Sequence, residues 1–109
     1  MTTATLETVT DDRFQAEVLE AQGPVLVDFT ATWCPPCRVM KPVLAALAEE
    51  QPELRIAQLD VDEHQQTAAA YGVLSMPTFI LFRDGQPVIR LVGARPKATL
   101  ARELAEHGV

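Results

Sequence analysis

The chain has 109 residues, nearly half of them apolar, and a formal net charge of −6, which is typical of one soluble globular domain with its own core. Its Lys and Arg residues are scattered and no apolar run approaches the roughly 20 residues of a membrane span, which argues against nucleic-acid and membrane partners. Because the first ten residues lack a secretory signal pattern, we expect a single cytoplasmic domain over residues 1–109.

The first elements are a helix and a strand. Residues 10–21 combine a capping residue, acids in the first turn and apolar residues at helical spacing, which predicts a helix that starts near Thr10. The run 25–31 is nearly all apolar, as in a central strand covered on both faces. Asp28 is the one charged residue inside this strand.

A second helix is predicted to begin at the cysteine motif. Apolar residues recur at helical spacing between Pro36 and about Gln51, namely Met40, Val43, Leu44 and Leu47. Residues 54–61 predict the next strand, and residues from about 63 to 71 predict a short helix. Together these elements form a strand, helix, strand unit.

The C-terminal third predicts a hairpin followed by a helix. Strand-like runs within residues 78–92 flank Asp84-Gly85, which is a tight-turn signal. A last helix is predicted to start near Pro96, and a further short strand is predicted between Leu6 and Val9. This order of elements predicts a mixed sheet with helices on both faces.

Both cysteines of the chain lie in the stretch ATWCPPCR, residues 31–38. A zinc site needs about four ligands, and the histidines His64 and His107 are distant in sequence and no second cysteine pair exists, so we expect no metal. A structural disulfide would close a loop too small to constrain the unfolded chain much. A helix that begins between the cysteines would point free N–H groups at Cys34 and stabilise a thiolate there, while Cys37 could attack back. The spacing therefore favours a redox pair, with a structural disulfide and a metal site as the alternatives.

Three stretches, VLVDFTATWCPPCR, YGVLSMPTFILFRDG and LVGA, occur in an order and at spacings that resemble the thioredoxin family from about residue 6 to the end of the chain. The resemblance implies the α/β thioredoxin fold, a five-stranded mixed sheet of order 1-3-2-4-5 flanked by four helices. It also implies a thiol-disulfide oxidoreductase that reduces protein disulfides by dithiol-disulfide exchange, with Cys34 as the nucleophile and Cys37 as the resolving thiol.

The resemblance implies partners as well. Client proteins that contain disulfides would be reduced, and a thioredoxin reductase would restore the dithiol with electrons from NADPH through its flavin. The chain itself would need no cofactor beyond the redox-active Cys34–Cys37 disulfide, and we expect a monomer.

The resemblance assigns Asp28 to proton transfer to and from Cys37. Burial among apolar neighbours is expected to raise the pKa of Asp28. Gln58 stands where the family often has a lysine beside this aspartate. If Gln58 faces Asp28, no opposite charge offsets the burial, and the pKa of Asp28 is expected to rise further than it would beside a lysine.

The resemblance also implies a surface around Cys34 where substrates dock, formed by Trp33, Pro35, Val61, Met76, Pro77, Gly93 and Ala94. The Met76-Pro77 bond is expected to be cis. Thr30 and Ser75 depart from the tryptophan and glycine that are common at their positions.

Pro35 is the largest departure within the motif, because most members of the family have Gly-Pro between the cysteines. A residue that precedes a proline avoids the α region, so the helix is predicted to begin at Pro36 and to leave Pro35 outside.

Two alternative functions remain at this point. The chain could be an extracytoplasmic disulfide oxidase or isomerase, which the missing signal pattern argues against. It could also be a binding or assembly module that has this fold but does not use its thiols.

Overall fold

A computed structural model of the chain describes residues 6–109, so the first five residues of the predicted 1–109 domain lie outside the described part. The strands form one five-stranded sheet in the order β1-β3-β2-β4-β5. β1, β3 and β2 are parallel to one another, and β4 is antiparallel to both β2 and β5. The strand bounds are β1 Glu7–Thr8, β2 Val25–Thr30, β3 Arg55–Asp60, β4 Thr78–Arg83 and β5 Gln86–Val92. The predicted mixed sheet and its order are confirmed.

Within residues 6–109, four helical segments flank the sheet, as predicted. The first is a 3₁₀ turn, Asp11–Arg13, that continues into a π-helix, Gln15–Leu19, and the others are α1 Pro35–Glu50, α2 Gln65–Ala70 and α3 Lys97–Ala105. The first segment is not the regular α-helix that the apolar spacing suggests, because its last turn closes through a bond from Glu20 N–H to the Gln15 carbonyl, 2.9 Å long. Within residues 6–109, no helix is both long and apolar enough to cross a membrane.

Alternation along the central strand β2 sends its side chains to two separate cores. Val27 and Phe29 pack on the face that the first helical segment and α2 cover, whereas Leu26 packs on the face of α1 and α3. Asp28, which follows the same alternation as Leu26, therefore faces α1. The carboxyl end of β2 leads directly to the cysteine motif and to the start of this helix.

The start of α1 differs from the prediction. The helix begins at Pro35, with Cys34 as its N-cap and both prolines in its first turn. The predicted start at Pro36 is wrong because the first helical positions need no N–H donor and a φ near −65° suits them, so consecutive prolines are accepted there. The steric bias against a helical residue before proline does not exclude Pro35 from this position.

The predicted hairpin is confirmed. Asp84 and Gly85 both have positive φ, at 53° and 78°, as a two-residue turn of type I′ requires. The hairpin places the end of β5 beside the start of β4, so the loop that follows Val92 lies next to Pro77.

Candidate active site

The two cysteines lie where β2 ends and α1 begins. They form a disulfide with Cα atoms 5.3 Å apart, and both side chains are buried. Cys34 has an extended backbone as the N-cap of α1, and the N–H group of Cys37 donates to its Sγ over 3.3 Å. The helix N-terminus thus directs a free donor and its positive end at the sulfur of Cys34.

An apolar shell and a backbone carbonyl border the disulfide. Val61 and Met76 pack against the cysteines, and the carbonyl oxygen of Met76 lies 3.6 Å from the Sγ of Cys34. The Met76-Pro77 bond is cis, as the resemblance implies. Gly93 donates its N–H to the carbonyl of Pro77 over 2.8 Å. Val61 and Met76, from two distant segments of the chain, therefore meet the cysteines, and Gly93 is hydrogen-bonded to the neighbouring Pro77.

The remaining docking positions lie at the surface. Pro35 is exposed beside Cys34, and Ala94 is exposed beside Gly93. Trp33 is 60% exposed, which is unusual for so large an apolar side chain. The structure places Val61 and Met76 against the disulfide and Gly93 against Pro77, and the role of the seven residues in substrate docking stays a prediction.

Asp62 holds Trp33 at this surface. The indole N–H donates to Oδ2 of Asp62 over 2.8 Å, across 29 residues of sequence. This bond restricts the ring to an exposed orientation although apolar surface favours burial. The sequence carries no signal for the pairing, because Asp62 simply follows β3 among other acidic residues.

Asp28 is fully buried in β2, the strand that leads to the cysteine motif. Its register partner on β3 is Gln58, whose amide Nε2 donates to Oδ2 over 3.0 Å. Burial raises the pKa of Asp28 to about 6, while the Gln58 hydrogen bond and the charge of Lys41 act in the opposite direction. Oδ1 accepts no hydrogen bond from the residues that the structure describes. The predicted facing of Gln58 and the predicted upward shift are both confirmed.

A groove of about 430 Å³ opens beside Cys37. Cys37 and Lys41 reach it from one face of α1, four residues apart. Its other lining residues come from strands β1, β2 and β3, from the loops that follow β2 and β3, and from α1, namely Thr8, Thr30, Ala31, Thr32, Arg38, Gln58, Asp60 and Glu63. The groove connects Cys37 with Gln58, the hydrogen-bond partner of Asp28. Lys41 was not predicted to belong to this site, because its only signal in the sequence is its helical spacing from Cys37.

The cysteine and acidic side chains are not arranged as metal ligands. Within residues 6–109, no group of three or more His, Cys, Asp and Glu side chains is placed to hold a metal ion.

The chain that carries this site is similar to proteins of one known family. The family model for thioredoxin matches residues 5–106. The chain belongs to the thioredoxin family. A thioredoxin of Mycobacterium tuberculosis (strain ATCC 25618 / H37Rv) is 54% identical over 99 residues, which cover 90% of this chain and 85% of the relative. A thioredoxin of Streptomyces clavuligerus is 48% identical over 97 residues, which cover 89% of this chain and 91% of the relative.

A third thioredoxin-family relative is longer. A protein named bifunctional thioredoxin reductase/thioredoxin, from Mycobacterium leprae (strain TN), is 52% identical over 99 residues, which cover 90% of this chain and 22% of the relative. Together with the Cys34–Cys37 disulfide, membership of the thioredoxin family makes this chain a thiol-disulfide oxidoreductase. The two alternatives, an extracytoplasmic disulfide oxidase or isomerase and a binding module that does not use its thiols, are not favoured.

Proposed function

We propose that the chain is a monomeric cytoplasmic reductase of protein disulfides. In the reduced protein, the Cys34 thiolate attacks one sulfur of a client disulfide, forms a mixed disulfide and releases the other client sulfur as a thiolate. Cys37 then loses its proton and attacks the Sγ of Cys34, which releases the second client sulfur. The client gains two electrons, and the protein ends with the Cys34–Cys37 disulfide.

The position of Cys34 at the start of α1 is the observation that carries this proposal. Its sulfur faces a free backbone N–H group of the helix, and such donors stabilise the thiolate that attacks. Both cysteine side chains are nearly fully buried, Cys34 at 3% and Cys37 at 1%. Cys34 is the N-cap of α1 between the exposed Trp33 and Pro35, whereas Cys37 lies one turn inside the helix, so we place the first attack on a client at Cys34. The two cysteines thus have different roles, although they share one disulfide.

We assign proton transfer to Asp28. With a pKa of about 6, its carboxylate is mostly ionised at neutral pH yet is basic enough to accept a proton. The groove beside Cys37 is lined by Gln58, which is bonded to this carboxylate. Asp28 therefore accepts the proton of Cys37 during resolution and returns one when the disulfide is reduced again.

We assign client docking to the surface that Trp33, Pro35, Val61, Met76, Pro77, Gly93 and Ala94 form around Cys34. The backbone of Met76 is next to the sulfur, where an extended client segment can pair with it as an added strand. The exposed ring of Trp33 offers apolar area beside the same sulfur.

Regeneration of the dithiol requires an external electron donor. We propose a flavin-dependent thioredoxin reductase that uses NADPH. The relative from Mycobacterium leprae, whose name joins a thioredoxin reductase with a thioredoxin, supports this partner. The chain carries its electrons on the cysteine pair and needs no further cofactor.

A trapping experiment tests the order of attack. Reduced Cys37→Ser protein is mixed with insulin as the disulfide client, and a covalent mixed disulfide is expected to accumulate because no resolving thiol is present. Cys34→Ser protein is the matched control and is expected to trap little. Equal trapping by both variants, or no turnover of insulin by the unaltered chain with dithiothreitol, would contradict the proposal.

The reduction potential separates a reductase from an oxidase. A potential at or below the cytosolic glutathione poise supports reduction of clients, and about 30 mV changes the equilibrium constant tenfold for two electrons. A clearly more oxidising value would favour the oxidase or isomerase. Full biological activity of a Cys34→Ser, Cys37→Ser double variant would instead indicate a binding module.

A further inference from the structure

The loop between β5 and α3, residues 93–96, borders the docking surface, and the side chain of Arg95 forms hydrogen bonds to the backbone at its start. Gly93 has φ 99°, a conformation that side chains rarely adopt. Its N–H bonds to Pro77, so its position and that of the segment facing Cys34 are coupled. What fixes this loop therefore also fixes part of the surface that a client meets.

Arg95 uses every nitrogen of its guanidinium group on this loop and on α3. Nη2 donates to the carbonyl of Val92 over 2.6 Å, and Nε donates to the carbonyl of Gly93 over 3.2 Å. Nη1 lies 2.8 Å from both carboxylate oxygens of Glu103. The side chains of Arg95 and Glu103 are only 16% and 22% exposed, so this ion pair is shielded more than a surface pair.

The backbone of Arg95 is anchored as well. Its N–H donates to the Sδ of Met40, a fully buried residue of α1, over 3.5 Å. The loop is thus tied to α1 through the backbone and to α3 through the side chain. A lysine could not replace these contacts, because a single ammonium cannot hold two carbonyls and a carboxylate in the fork geometry of arginine.

We propose that Arg95 is a positioning residue for client docking. By holding the carbonyls of Val92 and Gly93, it keeps the loop, and through Gly93 the Pro77 segment, in the arrangement that receives a client peptide. It takes no part in sulfur chemistry. This inference rests on the proposed reduction of protein disulfides and adds the residue that orders the docking loop.

The expected consequence concerns affinity rather than reactivity. Without Arg95 the loop loses conformational entropy each time a client binds, and this loss lowers the affinity for the client. The concentration of client at half-saturation is expected to rise about tenfold, whereas the limiting rate at saturation stays within about twofold. A small disulfide that contacts only the sulfur is expected to react at an unchanged rate.

The test uses stopped-flow kinetics of the pre-reduced chain with increasing insulin, and hydroxyethyl disulfide as the small substrate. Arg95→Ala is compared with Arg102→Ala, which removes the same charge from an exposed position of α3. Arg95→Lys and Glu103→Gln keep part of the network and are expected to fall between Arg95→Ala and the unaltered chain. Hydrogen exchange of the Gly93 amide is expected to speed up in the same order.

The outcomes separate the two proposals. If the unaltered chain fails to reduce insulin, the proposed function fails. If it reduces insulin and Arg95→Ala and Arg95→Lys leave the half-saturation concentration unchanged, the positioning role of Arg95 is overturned. Equal losses with insulin and hydroxyethyl disulfide would also overturn it, because they would indicate general disruption of the site. Should Arg95→Ala fail to fold, Arg95→Lys and Glu103→Gln decide by the same readouts.

Discussion

Replacement of Asp28 by asparagine is expected to make the oxidised protein more stable, relative to the unaltered chain, at alkaline pH than at acidic pH. The carboxylate is fully buried and has a pKa of about 6 in the folded chain, compared with an ordinary value of 3.8. In the unfolded chain the carboxyl is exposed and loses its proton at a lower pH than in the folded chain. Between these two values the folded state holds one more proton than the unfolded state, so the free energy of unfolding falls as the pH rises.

The size of the effect follows from the two pKa values of Asp28. Their difference of about 2 pH units corresponds to about 3 kcal/mol at 1.36 kcal/mol per unit. At pH 4 about one fifth of this penalty is present, and at pH 8 it is fully present. The asparagine side chain cannot ionise, so the Asp28→Asn variant lacks the penalty, and its stability relative to the unaltered chain is expected to increase by about 2 to 3 kcal/mol from pH 4 to pH 8.

The assay is urea unfolding of the oxidised chain and of Asp28→Asn at both pH values, with the free energy taken by linear extrapolation. The pH-independent cost of burying the amide cancels when the two differences are compared. Asp84→Asn is the control, because Asp84 is exposed in a turn with φ 53° that asparagine also adopts. Its effect is expected to be small and alike at both pH values.

A relative stability of Asp28→Asn that does not change between pH 4 and pH 8 would refute this reasoning. It would mean that the carboxyl has the same affinity for protons in the folded and unfolded chains. A decrease at pH 8 would reverse the sign and would indicate that the folded protein stabilises the ionised form. Either result would also remove the basis for Asp28 as a proton acceptor.

Two further predictions concern the pKa of Asp28 and the hairpin turn. Gln58→Lys is expected to lower the pKa of Asp28, because an ammonium would replace the amide that now lies 3.0 Å from its carboxylate. The titration of the Asp28 carboxyl is followed by NMR, with Gln58→Met as the uncharged control, and an unchanged titration in Gln58→Lys would contradict this prediction. Gly85→Ala is expected to cost about 2 to 3 kcal/mol of unfolding free energy, since its φ is 78° and the added Cβ would lie 2.8 Å from the Leu19 carbonyl. Gly72→Ala, at φ 64° and with open space around it, is expected to cost less in the same urea experiment, and equal losses would show that the close approach does not matter.

Much of the fold follows from local patterns in the sequence. The apolar run of β2 is long enough to identify a central strand, and within it Asp28 stands out because a charge there must be buried. Alternation then places Asp28 on the α1 face. The Asp84-Gly85 pair predicts the hairpin because few other residues accept positive φ at both turn positions.

Other features could not be predicted because the sequence signal is ambiguous or absent. Apolar spacing does not distinguish an α-helix from the 3₁₀ and π turns at 11–19. The steric rule for a residue before proline is only a bias, and at Pro35 the helix start accepts what a helix interior would reject. The contacts of Arg95 with Glu103 and with two carbonyls depend on where a loop meets α3, which residue types alone do not specify.

Two departures from the common family pattern, Thr30 and Gln58, line the same groove beside Cys37. At position 58 a glutamine in place of a lysine means that β3 offers no positive charge to Asp28. The charge of Lys41, which reaches the groove from α1, lowers the pKa of Asp28 while burial raises it. The cation that opposes burial in this chain therefore comes from the helix that carries the cysteines, and the resulting pKa of about 6 keeps Asp28 ionised and able to accept a proton near neutral pH.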